Sequence, residues 1–431
     1  MAVSINRVGY DERLAVVGDI LRGLGLQSSK VSTVAYDDDY KYPFNNFLFK
    51  VDLATPASST QFTGTQPGTV KAPFGGVSSF IIKLSNAKAS DANNANRVPN
   101  DVAAQHLVRQ SLAAARLGPL IPDVYAWAPA SLTDKLREKD FGWIISEFRA
   151  GVDLNTVFAD LTNDARGKVL GQIAAAFAAI QAVKLPETVT KFGGIAFNET
   201  GRIISAEAPF RQIDPMVDSY VEFRFGNLRR RFDAAGKSPV IRGWKTDGVD
   251  TRIEQFLSSN GPEKVLSGVD LAQKSLVHAD FTTNNMLFDK DSNEITAILD
   301  FDFSVVSNPF DEYLTSFTDL GGCVGDLTNE VEAAILKGDF ASPPADLSED
   351  AKREWELADA WKSIAKKNGV LSPSEMKGAD QIMELIQFQN LLCPHRLSDE
   401  FMLEKMNETE RAELRAKTQE KIVQWLAKYG F

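Results

Sequence analysis

Two short apolar runs that end in acids and amides constrain this chain more than any other feature. The stretch SLVHADFTTNNMLFD (275–289) carries one run into His278, Asp280 and Asn285, and EITAILDF (294–301) carries a second run to Asp300. Runs of this length, bounded by turn residues, read as short strands. Their polar groups are then presented at strand ends on a firm base. An Asp and an Asn five residues apart on one loop can do two jobs. The carboxylate can orient a hydroxyl and take its proton, and the amide oxygen, together with Asp300, can hold a hard divalent cation. The His-x-Asp-x4-Asn spacing alone fits a solvated turn equally well, since Asp and Asn favour turns. The strands on both sides, with Asp300 downstream, point to a site.

The N-terminal third supplies strand-like runs at 47–54 (FLFKVDLA), 78–85 (SSFIIKLS), 123–129 (DVYAWAP) and 141–148 (FGWIISEF), with helical patterns at 10–25 and 99–117. Several strands with one helix among them predict a small antiparallel sheet rather than repeated βαβ units. The Thr-, Ser-, Pro- and Gly-rich segment 54–77 is expected to be a mobile surface loop, an insertion without catalytic duty. From about residue 152 the pattern turns mainly helical. The clearest helix is 164–183, and after 312 nearly everything is helical. At 431 residues there is room for two lobes.

A net charge of −11 argues against a nucleic-acid partner. The first twenty residues hold no uninterrupted apolar stretch, so no signal peptide is expected. The most apolar helical stretch, Ile173 to Val183, is too short to span a bilayer, so no membrane partner is expected either. Cys323 and Cys393 are the two cysteines and form no CxxC pair, which fits a reducing, cytoplasmic setting.

His278-x-Asp280-x4-Asn285 with Ile298-Leu299-Asp300 resembles the catalytic loop and metal-binding Asp of the aminoglycoside phosphotransferase and choline kinase group. The resemblance implies an α+β, bilobal protein kinase-like fold, with an antiparallel-sheet N-lobe (1–146) and a larger helical C-lobe (147–431) that holds a substrate-side insertion (205–265). It implies Asp280 as catalytic base and Asn285 and Asp300 as Mg²⁺ ligands. It also implies His278 as a brace for the loop, and Asp311 as a tie between that loop and the next helix. Lys83, closing the run Phe80-Ile81-Ile82, matches the strand lysine that reaches the ATP phosphates; a lysine at a strand end is otherwise simply solvated. The helix glutamate that pairs with that lysine in the family is missing, since no Glu lies between residues 53 and 137. Asp101 stands in its place, one methylene shorter, and so must sit closer or bridge through water. Asn45, in YPFNNF (42–47), aligns with the nucleotide-positioning turn, although no Gly-x-Gly-x-x-Gly is present. The backbone of Glu147 and Phe148 is expected to meet the adenine.

Ala279 occupies the place of the arginine between His and Asp in regulated protein kinases, and only ten residues separate Asp300 from Asp311. That leaves no activation segment for a protein substrate. Thirteen acidic against three basic residues between 311 and 359 would form either an acidic wall suited to a cationic alcohol or plain solvated helix faces. Trp355 and Trp361 fit a pocket lining or core packing, and Arg229–Arg231 an anion site or a solvated helix face. The expected activity is ATP- and Mg²⁺-dependent phosphoryl transfer to the hydroxyl of a small molecule, such as an amino alcohol or an aminoglycoside-like compound. A nucleotide-binding pseudokinase or scaffold, or a nucleotidyl transferase on the same fold, is the alternative.

Overall fold

The computed structural model describes residues 4–36, 40–89, 92–131, 137–210 and 216–431. Residues 211–215, inside the expected 205–265 insertion, lie outside the described residues. Helix α1 (Tyr10–Gly23) opens the chain, followed by β1 (Ser28–Val34), β2 (Asn46–Ala57), β3 (Val77–Ser85), helix α2 (Arg97–Ala114), β4 (Val124–Ala128) and β5 (Trp143–Glu147). The five strands form one antiparallel sheet in the order β1-β2-β3-β5-β4.

Period-two alternation explains how this sheet is used. Phe80, Ile82 and Leu84 of β3, with Phe47, Phe49 and Val51 of β2, share one apolar core with Val16, Val17, Ile20 and Leu21 of α1. The opposite face presents Ile144, which packs with Val98 and Val102 of α2. Lys83 pairs with Ile144 across the sheet, so it lies on the α2 side.

The C-terminal part is mainly helical around a second, larger core. Helix α3 (Asn163–Gln181) buries Ile173, Phe177 and Ile180 in it, and α4 (Tyr220–Lys237) adds Tyr220 and Leu228. Short strands contribute to this core as well, with Val277, Met286, Phe288 and Val306 buried in it. A hairpin, β7 (Gly194–Phe197) and β8 (Ile203–Ala206), precedes α4. Strand β9 (Ser275–Val277) pairs with β12 (Val305–Ser307), and β10 (Met286–Asp289) pairs with both β11 (Glu294–Ile298) and β6 (Val152–Asp153). No described helix is long and apolar enough to cross a membrane.

The segment expected to be a mobile loop is instead packed. Strands β2 and β3 run up to Ala57 and from Val77, and the residues between them fold back over β4. Phe62 is fully buried and stacks on Tyr125 at 5.0 Å. The Gln66 amide donates to the Trp127 carbonyl (2.7 Å), and the Trp127 indole donates to the Pro67 carbonyl (2.9 Å). Arg109 of α2 donates to the Gly68 carbonyl at 3.1 Å. A polar composition does not prevent order when one aromatic residue finds a socket. Trp355 and Trp361 are core residues, in ring contact with Phe340 and Phe317 at 5.0 and 5.3 Å. Arg229 pairs with Glu254, at 2.7 and 2.5 Å to its two oxygens.

Removing the Phe62 ring would leave a cavity lined by Tyr125 and Phe80. Phe62→Ala should therefore cost about 3 kcal/mol or more of unfolding free energy in a urea titration. A cost below about 1 kcal/mol would mean the loop is not part of the core.

Candidate functional site

Strand β3 carries Lys83 to the gap between the sheet and the helical part, where its ammonium meets three carboxylates. It lies 2.9 Å from Asp101 Oδ2, 2.8 Å from Asp300 Oδ1 and 3.0 Å from Asp302 Oδ1. The first two contacts are hydrogen bonds; the third is an ion pair without hydrogen-bond alignment. The shorter Asp101 thus reaches Lys83 directly, with no water needed, and Gln105 one turn on donates to its other oxygen at 2.8 Å. Asp302 is shared with Arg97, the first residue of α2, at 2.6 Å, and accepts from the Asn46 amide at 2.6 Å.

Charge and burial fix the roles these groups can take. Burial by itself pulls the Lys83 ammonium down, but Asp101, Asp300 and Asp302 outweigh it and hold its pKa well above the ordinary lysine value. Burial raises Asp101, and Lys83 offsets only part of this. At Asp302 the penalty of burial is overcome by Arg97 and then Lys83, so its carboxyl is held below the usual range. Asp101 and Asp302 are sealed at 0% and 1% side-chain exposure, whereas Asp300 is 31% exposed. One oxygen from each of the three lies within 4.8 Å of the others, a grouping that could hold a metal ion, but Lys83 sits among them and Arg97 pairs with Asp302, offsetting two of the three charges. Asp300 is the member open to a ligand.

The His278–Asn285 loop leaves β9 and enters β10. Asn285 donates from Nδ2 to both the carbonyl and Oδ2 of Asp280, each at 2.9 Å. Its own carbonyl accepts from Leu299 N–H at 2.8 Å, which sets Asn285 beside Asp300. Burial is the main cause that raises the Asp280 carboxyl to about 6; the Asn285 bond opposes it and the nearby Asp300 and Asp319 add to it. The His278 ring is buried and contacts the Leu299 carbonyl at 3.1 Å, and burial lowers its pKa to about 4. Ala279 (φ 65°) and Asp300 (φ 61°) occupy left-handed backbone that residues with a Cβ rarely adopt.

Glu312 helps hold the first of these two residues. It accepts from the backbone N–H groups of His278 (2.7 Å) and Ala279 (2.9 Å), while Thr315 donates to the Ala279 carbonyl at 2.8 Å. Ser316 Oγ accepts from Phe281 N–H at 2.7 Å, and Asp319 accepts from Thr283 N–H at 2.8 Å. The tie assigned to Asp311 therefore belongs to its neighbour. Asp311 turns the other way, to Tyr220 (2.6 Å), Arg224 and Ser307. One residue's difference in the turn 309–314 sends the two acids to opposite sides.

Asn45 contributes its carbonyl, which accepts from Arg97 (2.7 Å) and Asn86 N–H (2.8 Å). The side chain that reaches the carboxylates is that of Asn46. At the expected hinge, the Glu147 N–H already donates to the Asp123 carbonyl at 2.7 Å, and the Phe148 ring carries the Lys50 ammonium at 4.1 Å. A donor to a nucleotide base would have to come from Phe148 or Arg149. Arg97, Asn46, Asp302 and Glu312 were not singled out from the sequence. The Asp-Phe-Asp spacing of 300–302 was the one visible hint among them.

The family model described as the APH phosphotransferase enzyme family matches residues 76–322. The match spans more than half the chain and contains Lys83, Asp101, Asp280, Asn285 and Asp300, and the protein belongs to this family. Its fold is the bilobal, protein kinase-like one, with an antiparallel-sheet N-lobe and a helical C-lobe. No curated protein matches the sequence. Among solved structures, it is similar to APH(2'')-IIa in complex with gentamicin, at 12% identity over 96% of this chain and 95% of that one, TM-score 0.42. It is also similar to ADP-bound APH(2'')-Ib, at 12% identity over 95% and 98%, TM-score 0.43. A third likeness is to an ethanolamine kinase of Plasmodium vivax, at 12% identity over 90% and 82%, TM-score 0.38.

Burial raises the Glu312 carboxyl to about 7, against the hydrogen bonds it accepts from Ser316, His278 and Ala279. Since the folded value lies above the unfolded one, the folded state holds the proton more tightly across that window. The contribution to stability is complete below the ordinary carboxylate range and is lost as pH rises through about 7. Glu312→Gln should remove this part of the fall when unfolding free energies at about pH 5 and pH 7.5 are compared with wild type. An unchanged fall would show that Glu312 is ionised throughout.

Proposed function

We propose that this protein transfers the γ-phosphoryl group of ATP, with Mg²⁺, to a hydroxyl of a small molecule. The observation that carries the reading is the meeting of Lys83 from the sheet with Asp300 from the helical part, beside the Asp280–Asn285 pair. Phosphoryl transfer depends mainly on positioning and on offsetting charge, and these groups offer both. In this reading the N-lobe is 1–146 and the C-lobe 147–431, with the nucleotide between them.

Asp280 is the group to take the acceptor's proton. Asn285 occupies its Oδ2, which leaves Oδ1 for the hydroxyl, and a pKa near 6 keeps the base ionised at neutral pH yet basic enough to accept. Lys83, held by Asp101, orients the phosphates. Asp300 and the amide oxygen of Asn285 form a hard oxygen donor set that fits Mg²⁺. The ion, when bound, would offset charge on the phosphates. Asp101 and Asp302 are sealed and act by fixing Lys83. Negative charge from Asp280, Asp300 and Asp319 suits an amine-bearing alcohol, an amino alcohol or an aminoglycoside-like compound. Part of the acidic excess downstream has a plainer use: Glu330, Glu332, Glu349 and Asp350 sit in first turns of helices, where they favour the N-terminal dipole. A cytoplasmic setting without a nucleic-acid partner accompanies this reading.

A screen of amino alcohols, aminoglycosides and sugars for acceptor-dependent ADP release from ATP and Mg²⁺ tests the function. Release with none of them, and no ATP binding, would sink it. Asp280→Ala should lower turnover by about 10²-fold or more; full activity in that variant would remove Asp280 as base. Asp300→Asn should weaken nucleotide binding mainly when Mg²⁺ is present, and identical titrations with and without the ion would take Asp300 out of the metal site.

A further inference from the structure

The turn that leads into β2 lacks the glycines that let a backbone wrap around phosphates, yet it ends at the site, through Asn45 and Asn46. Four of the backbone groups in residues 42–45 are taken by other parts of the chain. One side chain, Asn6, takes two of them: its amide nitrogen donates to the Tyr42 carbonyl (2.9 Å), and its oxygen accepts from Phe44 N–H (2.8 Å). It thus bridges both sides of Pro43, as a neighbouring strand would. From the inner side, Asn86 donates to the carbonyls of Phe44 (2.7 Å) and Asn45 (2.8 Å).

Asn6 is itself anchored. It is 1% exposed, and its carbonyl accepts from Arg13 at 2.6 Å and from the Tyr36 hydroxyl. Arg13 is buried over the Phe47 ring at 3.7 Å and pairs with Glu138 at 3.4 Å. The segment before α1 is therefore packed against the turn from outside. Two residues past Phe44, Asn46 binds Asp302, and Asp302 contacts Lys83. A chain of contacts thus runs from Asn6 through the turn and Asn46 to Asp302 and the lysine.

We propose that Asn6 is a positioning residue for the triphosphate: it holds residues 42–46 in their phosphate-facing shape before the nucleotide arrives, in place of a glycine-rich loop. This rests on the ATP-dependent reading above. A turn fixed in advance loses little freedom on binding, and the benefit falls on phosphates and not on the nucleoside. A buried Asn that served only the stability of the sheet would show no such division.

The test is a pair of calorimetric titrations, with Mg·ATP and with adenosine, on wild type, Asn6→Ala and Asn6→Ser. Asn6→Ala should weaken Mg·ATP by about tenfold, the scale of a lost buried hydrogen bond, and leave adenosine affinity unchanged. Asn6→Ser, which keeps one hydrogen-bonding group, should lie between; it carries the test alone if the alanine chain does not fold. Equal affinity of wild type and variants for Mg·ATP overturns the inference, as does an equal loss for adenosine and Mg·ATP. A wild-type chain that binds no ATP overturns the kinase reading itself, a result distinct from either.

Discussion

The Lys83 ammonium, set among Asp101, Asp300 and Asp302, is the contact on which the rest of the architecture depends. The lysine comes from a strand of the sheet, the first acid from α2, and the other two from the loop after β11. Taking this many charges out of water is costly, and it is tolerated only when every member has a partner. Arg97 provides the second cation and Asn46 the remaining donor to Asp302. Sheet, helix and loop therefore cannot shift independently. A displacement that broke one pair would leave another charge buried and uncompensated.

A second, quieter constraint acts on the loop that carries Asp280. Residues 312 to 319 run beside it and meet its backbone at His278, Ala279, Phe281 and Thr283. Ala279 bears a left-handed conformation that its side chain disfavours, and the bonds from Glu312 and Thr315 offset that strain. The Asp280 carboxylate is held in turn by Asn285, five residues along the same loop. Orientation is built into the loop before anything binds.

Much of this was legible in the sequence, and the parts that were not have physical reasons. Alternation in β2, β3 and β5 marks the buried strands, and Lys83 falls in phase with it, on the face opposite Phe80, Ile82 and Leu84. Asp280, Asn285 and Asp300 are readable because loop geometry is local and their spacing preserves it. The Arg97–Asp302 pair joins residues 205 apart, and no local pattern encodes such a contact. Local pattern does not fix which of two neighbours faces a given partner: the side chain that meets Asp302 is that of Asn46, and the acid that holds the loop backbone is Glu312 rather than Asp311. β1, with the sequence SSKVSTV, and the short β7–β8 hairpin were missed because partly exposed strands carry little apolar periodicity. The 58–76 segment looks unstructured in sequence because its order comes from one buried aromatic, Phe62, and from hydrogen bonds to Trp127 and Arg109, which lie far along the chain.

Helix α2 is bolted to the lower half of the molecule. Asn96 donates to the carbonyls of Ile195 and Glu207, at 3.2 and 2.6 Å. Asn100 donates to the Ser304 carbonyl and accepts from Ile195 N–H, both at 2.8 Å. The same helix packs on the sheet through Val98, Val102 and Ile144, so it is held from both sides. A gap opened between sheet and helix would have to break both that packing and the buried Lys83–Asp101 contact, so the helix locks the two halves together.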